Sequence, residues 1–259
     1  MFCVRAFRLK KPMFRQRFRI CEVFSIPVYL DISTVFLMLM FMQCGSLLVS
    51  AALAILLMFS IVFHELAHSL TARCFGCRTH NIVLTVIGGC ASLESIPRKA
   101  WQELLTAAAG PASSFLLAVA FYVASAFLPG GNLLGEVMWC AGHINAGLAL
   151  FNLLPGFPMD GGRIFRSLAR FFTTRAKATY VAMVVGRAAA ILLVLGPALG
   201  VDHIWIIPIG GSIFIRVLIA WMIWRQGYAE YLLAREEEDF RKWTQADFDA
   251  RVSPPPYAR

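Results

Sequence analysis

From Ile32 to Phe63 the chain carries no charged residue, and the run ends on Phe63-His64-Glu65-Leu66-Ala67-His68, an HExxH sequence. One helix needs ~20 apolar residues to cross a bilayer, so the run has room for two spans. Gln43-Cys44-Gly45-Ser46 is the polar break between them. On a helix the histidines at i and i+4 share one face, so two imidazoles can grip one metal ion while Glu65 faces a water held there. These residues put catalytic chemistry inside a membrane-like segment.

The rest of the composition agrees with a membrane setting. At 59% hydrophobic residues, 15% charged and a mean hydropathy of +0.68, the 259-residue chain is too apolar for a soluble domain. Its seven cysteines are odd in number and scattered, which argues against a disulfide framework.

Residues 1–24 form a basic, Phe-containing arm that suits a cytoplasmic, lipid-facing segment, and no small-residue cleavage site follows it. Spans are expected at 27–43 and 47–70. Residues 79–94 are too short to span, rich in β-branched side chains and centred on Gly88-Gly89, which predicts a strand or hairpin packed on protein or lining a wet cavity. A third span, 101–128, carries Gly110-Pro111, where a kink is expected. A fourth, 133–154, ends at Pro155-Gly156-Phe157-Pro158. Met159-Asp160-Gly161-Gly162 and a basic amphipathic piece over 163–170 follow, then spans at 178–198 and 203–224. The predicted fold class is an all-α polytopic membrane protein of about six transmembrane helices, with a small membrane-associated β-hairpin between the second and third. The core is expected over 25–225. Residues 226–259 read as a polar cytoplasmic tail, a helix continuation giving way to disorder, with no PDZ or CBS domain.

Charge placement tests that order. With both termini in the cytoplasm, all of the 24 Lys and Arg except Arg187 and Arg216 fall on cytoplasmic segments, as the positive-inside rule requires. The net charge of +9 is thereby accounted for without nucleic acid. Arg187 and Arg216 lie within spans, where a central Arg costs roughly 2.5 to 3.5 kcal/mol, so they should face protein or a cavity.

A catalytic zinc needs a third protein ligand besides the two histidines, with one position open for water. The extended metzincin pattern fails, since Thr71 stands at its glycine and Cys74 at its third histidine. Glu94, Glu103 and Asp160 remain, and Asp160 is the better placed, following a broken span and flanked by two glycines. His64 lies about 26 Å along a helix from Leu47 at a rise of about 1.5 Å per residue, near the inner edge of a ~30 Å core. Asp160 ends a span that runs in the same direction.

His64-Glu65-Leu66-Ala67-His68 together with Asn152-Leu153-Leu154-Pro155-Gly156-Phe157-Pro158-Met159-Asp160-Gly161-Gly162 resembles the paired HExxH and NxxPxxxxDGG signature of the site-2 protease family of intramembrane zinc metalloproteases. Gly88-Gly89 and Ala109-Gly110-Pro111 are similar to that family's pattern too, and the likeness runs over about 24–225. Two positions depart from it. Val86-Ile87 stands where family members often have a Pro before the Gly pair, and Ser113-Ser114 where they often have an Asn after Gly-Pro.

The resemblance implies an intramembrane zinc endopeptidase that cuts a transmembrane segment near the cytoplasmic face. His64, His68 and Asp160 would bind Zn2+, which makes water a usable nucleophile near neutral pH. Glu65 would move the proton, and Asn152 would orient the peptide or stabilise the oxyanion. The 79–94 strand, with Val86, Gly88 and Gly89, is expected to hold an unwound substrate by strand addition. Implied substrates are membrane-tethered regulators such as an anti-sigma factor or a transcription factor, or a signal-peptide remnant, in a bacterial inner or plasma membrane. The competing readings are a metal transporter, which has no need of Glu65 between the histidines, and a non-catalytic membrane scaffold, which does not need the ligand set.

Other residues have plainer roles. Cys74-Phe75-Gly76-Cys77 reads as two free thiols beside a glycine helix cap. His143 reads as a hydrogen-bonded interior histidine, while Asn145 either lines the same cavity or bonds to a neighbouring helix.

Overall fold

The computed structural model describes residues 17–32, 34, 46–85, 88–93, 97, 99–199 and 213–252. Helix α1, Leu47–Cys74, is the long apolar run of the sequence. Ser46 caps its start by accepting from the Val49 N–H. At its end Gly76 takes φ +80°, its N–H donates to the Arg73 carbonyl, and the Cys77 N–H donates to the Ala72 carbonyl. That pairing is a Schellman cap, which needs a residue free to be left-handed. The expected glycine cap is present, with Cys74 exposed and Cys77 buried.

One face of α1 is buried at helical spacing through Ser50, Leu53, Leu57, Ser60, Ile61, His64, His68 and Ala72. The opposite face exposes Leu48, Ile55, Phe59 and Phe63. A helix that turns large apolar side chains outward and small, polar and ionisable ones inward suits a hydrocarbon solvent. Helix α2, Ala100–Ala126, runs through Pro111 as one element. After helix α3, Leu133–Asn152, comes the short α4, Asp160–Ala169. Helix α5, Arg175–Leu195, passes into a 3-10 turn at Gly196–Leu199, and α6 covers Ile213–Val252. Three stretches, α1, α2 and Arg175–Ala198, are long and apolar enough to cross a bilayer, as an integral membrane protein requires.

The sheet is larger than the expected hairpin. Strands β1 (Arg17–Val23), β2 (Ile26–Asp31), β3 (Thr79–Thr85) and β4 (Gly88–Leu93) lie in the order β1-β2-β3-β4. β1–β2 and β3–β4 are antiparallel, and β2–β3 is parallel. Residues 17–23 therefore belong to the sheet rather than to an irregular arm, and the expected first span begins too early, because Ile26–Asp31 is strand β2. The rest of that span lies outside the described residues. Two features hid the first hairpin. Its turn is Phe24-Ser25, both at positive φ (51° and 64°), a geometry usually flagged by Asn or Gly. β2 also buries alternate residues, Ile26 and Val28, within a run so apolar that period two does not stand out.

The sheet packs on α1. Ile26, Val28, Ile82, Leu84 and Ala91 share a core with Leu57, Ile61, Leu66 and Ala72 of the helix. A second core joins Leu154 and Met159 of the chain break to Ala190 of α5 and Ile223 of α6. A Cβ on Gly156 would stand 3.3 Å from the Gly186 Cα, so the break and α5 meet backbone to backbone. Arg187 lies 4.5 Å from the centre of the Trp224 ring, an aromatic partner for that cation.

Candidate metal centre

Two helices converge on one point. α1 places His64 and His68 one turn apart, with 3.2 Å between their Nε2 atoms. Asp160, the first residue of α4, sets Oδ2 at 3.1 Å from each Nε2. All three residues are at most 3% exposed. The two glycines after Asp160 allow this approach. A Cβ on Gly161 would lie 2.3 Å from the Leu153 and Leu154 carbonyl oxygens, and one on Gly162 2.7 Å from the Gly156 carbonyl carbon. With side chains there, the first turn of α4 could not fold back against the break that precedes it.

The far side of each ring is also held. His68 Nδ1 stands 2.6 Å from the Thr106 carbonyl oxygen and His64 Nδ1 2.9 Å from Ser114 Oγ. A carbonyl only accepts, so His68 carries its proton on Nδ1 and, as neutral imidazole, turns its Nε2 lone pair to the centre. Three acceptor atoms then face one another, and a single shared proton can bridge only one of the three contacts. Asp160 Oδ1, also buried, has no hydrogen-bond partner among the described residues. A cation satisfies the whole set. Ligand atoms at about 2.0–2.1 Å from a tetrahedral Zn2+ stand roughly 3.3 Å apart, close to the separations found. His64, His68 and Asp160 form the cluster among the described residues whose donor atoms could together hold a metal.

Glu65 lies beside this triad at 2% exposure and accepts the Ala91 N–H of β4 at 3.2 Å. A Cβ on Gly89 would lie 2.3 Å from Glu65 Cγ, so β4 reaches the glutamate only because that position has no side chain. Gly110 plays the same part on α2, where a Cβ would lie 2.1 Å from His68 Nε2. A cavity of about 60 Å³ opens on the triad, lined by His64, Glu65, Gly89, Asn152 and Met159 among others, room enough for a few waters.

Most of the residues singled out from sequence meet here. Asn152 reaches the cavity and donates its amide to the Leu148 carbonyl. Gly88 opens strand β4 opposite Thr85, whereas Val86 lies outside the described residues, as does Glu94. Asn145 does not reach the cavity. It is buried and donates to Ser60 Oγ of α1 at 2.9 Å. His143 is exposed rather than interior, its Nδ1 against the Trp139 carbonyl and its ring tilted against the Trp139 indole. Glu103 is no ligand, for its carboxylate is clasped by Arg166 and Arg170.

Thr106 and Ser114 escaped the sequence reading. The Thr106 contact is made by a backbone carbonyl, which no residue type encodes. Ser114 did carry a signal, standing in the Ser113-Ser114 pair three residues beyond Pro111. Arg166 was visible only as one of a run of cations.

Comparison with known proteins agrees with this geometry. The family model described as peptidase family M50 matches residues 52–139 and 131–195. A putative zinc metalloprotease of Synechocystis sp. is 34% identical over 195 residues, 75% of this chain and 50% of that protein. A zinc metalloprotease of Methanocaldococcus jannaschii is 33% identical over 193 residues, 73% of this chain and 56% of that protein. The chain thus spans about half the length of these relatives. Among solved structures, a site-2 protease from Methanocaldococcus jannaschii superposes with a TM-score of 0.59 at 28% identity, covering 83% of this chain and 95% of that one.

Proposed function

This chain belongs to peptidase family M50, and from that premise we propose that it is an intramembrane zinc endopeptidase. The observation that carries the reading is the convergence of His64 Nε2, His68 Nε2 and Asp160 Oδ2 within 3.1–3.2 Å in a buried site. These three residues would hold Zn2+. When bound, Zn2+ supplies a Lewis acid that makes water nucleophilic near neutral pH and polarises a carbonyl.

The chain's own groups do the rest. Glu65 takes the proton of the attacking water and hands it to the leaving amine, steadied by the Ala91 N–H. Thr106 and Ser114 fix the imidazole orientations. Asn152, on the cavity wall, orients the scissile peptide or stabilises the oxyanion. β4 is an outer strand of the sheet as described, so its free edge can pair with an unwound substrate segment. Gly88 and Gly89 belong to that strand, and Val86, outside the described residues, is proposed with them as a substrate-binding residue.

In this reading the chain crosses the membrane about six times with both termini cytoplasmic, and the cut falls near the cytoplasmic face. Suitable substrates are transmembrane segments of regulators tethered in the lipid bilayer, such as an anti-sigma factor or a transcription factor, or signal-peptide remnants in a bacterial inner or plasma membrane. Metal transport fits less well, since transit ligands need neither Glu65 between the histidines nor a third ligand set after a Pro-broken span.

The test is Glu65→Gln in purified protein. It should keep one zinc per chain and lose cleavage of a model transmembrane substrate; a variant that still cleaves at the wild-type rate would refute the assigned mechanism.

A further inference from the structure

Beyond the metal site the most buried charge among the described residues is Arg166, fully inaccessible on α4. Its guanidinium joins three helices. Nε donates to Glu103 of α2 at 2.9 Å and Nη1 to Glu230 of α6 at 3.0 Å. Arg170 adds a bond to Glu103, and Arg163 stands 3.7 Å from Glu230. Along α6 the same acidic face continues, with Glu237 on Arg175 at 3.1 Å and Glu238 accepting the Ala176 N–H at 3.3 Å. Residues 230, 237 and 238 recur at helical spacing, so the helix that leaves the membrane lays an acidic stripe on the basic α4–α5 segment.

Two of the helices joined in this cluster also carry residues of the metal site. Glu103 lies one turn before Thr106, whose carbonyl holds His68, and two turns before Gly110, which abuts both imidazoles. Arg166 and Arg163 lie on the ten-residue helix whose first residue is Asp160. Among the described residues Asp160 meets α1 through the two imidazoles, so the placement of α4 rests on what holds the rest of that helix.

Resting on the protease reading, we propose that Arg166 is a positioning residue. Clasped by Glu103 and Glu230, it fixes α4 against α2 and so presets Asp160 for the metal. The extension of α6 beyond the membrane is thereby part of the metal site's support.

The test uses the full chain in detergent with zinc or cobalt as the probe. Glu230→Gln and Arg166→Lys should each weaken Zn2+ affinity about tenfold or more, the usual cost of removing a residue that orients a ligand. They should also alter the visible absorption of the Co2+-loaded protein, which reports ligand geometry, and lower kcat with little change in KM. Arg235→Ala, which breaks an exposed pair with Asp239, should leave all three readings at the wild-type value. If Arg166→Lys fails to fold, Glu230→Gln decides alone, its side chain being 14% exposed at the edge of the cluster. Variants that match an active wild type in affinity and spectrum overturn this proposal alone. A wild type that takes up no metal overturns the protease reading with it.

Discussion

A methyl group on Gly110 would stand 2.1 Å from His68 Nε2 and 2.6 Å from His64 Nε2. Helix α2 passes the metal site as bare backbone, and the proline that follows continues the same helix. Gly110→Ala should therefore push the imidazoles apart. The expected result is purified protein with less than one zinc per chain and cleavage reduced roughly 100-fold, read by elemental analysis and a substrate assay. A fully loaded, fully active alanine variant would mean that the two helices part without cost.

Gly161 sits under a different constraint, with the Leu153 and Leu154 carbonyl oxygens 2.3 Å from any Cβ. Gly161→Ala has to move α4 off the chain break, and Asp160 moves with it. Overpacking against backbone destabilises by about 1 to 3 kcal/mol. A lowered thermal midpoint together with weakened zinc binding is expected, whereas a change in stability alone would separate Gly161 from the ligand it precedes.

The His64, His68 and Asp160 cluster proposed to bind the metal was legible in the sequence because its chemistry is spelled in side chains: two histidines at i and i+4, and an aspartate followed by glycines that a tight return demands. The first hairpin was not, since Phe24 and Ser25 take a left-handed turn that their residue types do not announce. Nor was Arg166, because nothing in a basic stretch tells a buried, doubly paired guanidinium from a solvated one. Glu103, a weaker ligand candidate than Asp160 in the sequence, is held by Arg166 and Arg170, a pairing its residue type does not announce. What single residues determine was readable, and what pairs distant in sequence determine was not.

Ser114 Oγ holds His64 Nδ1 at 2.9 Å inside the protein. Ser114→Ala leaves that ring nitrogen without its partner and the imidazole free to turn. Zinc affinity should fall roughly 10-fold, while Ser113→Ala, which loses only a bond to the Gly110 carbonyl of its own helix, should bind nearly as the wild type does. Competition with a chromophoric chelator measures both.

Burial alone would raise the Glu230 carboxyl, but the Arg163 and Arg166 cations beside it hold it below its ordinary value. A carboxylate whose folded pKa is depressed stabilises the fold fully above its unfolded pKa, about 4.3. That contribution is lost as pH falls through the folded value. The thermal midpoint of the wild type should thus drop more steeply below about pH 4 than that of Glu230→Gln. Parallel pH profiles would show that the ion pair adds nothing to stability.

His64 Nε2, His68 Nε2 and Asp160 Oδ2 lie within 3.1–3.2 Å of one another, a set that a cation would hold together. Chelation should lower the wild-type thermal midpoint, since a ligand at 1,000 times its Kd stabilises by about 4 kcal/mol. Asp160→Asn exposes the cause. Its amide can donate toward an imidazole lone pair where the carboxylate could only accept, so repulsion among the three groups is relieved as metal binding is lost. The asparagine variant should melt no lower than chelated wild type, ignore added zinc, and show no chelator response. If instead it melts well below the chelated wild type, then the carboxylate stabilises the metal-free fold through its own contacts, and the site is a paired ionic cluster rather than an acceptor set held open for a cation.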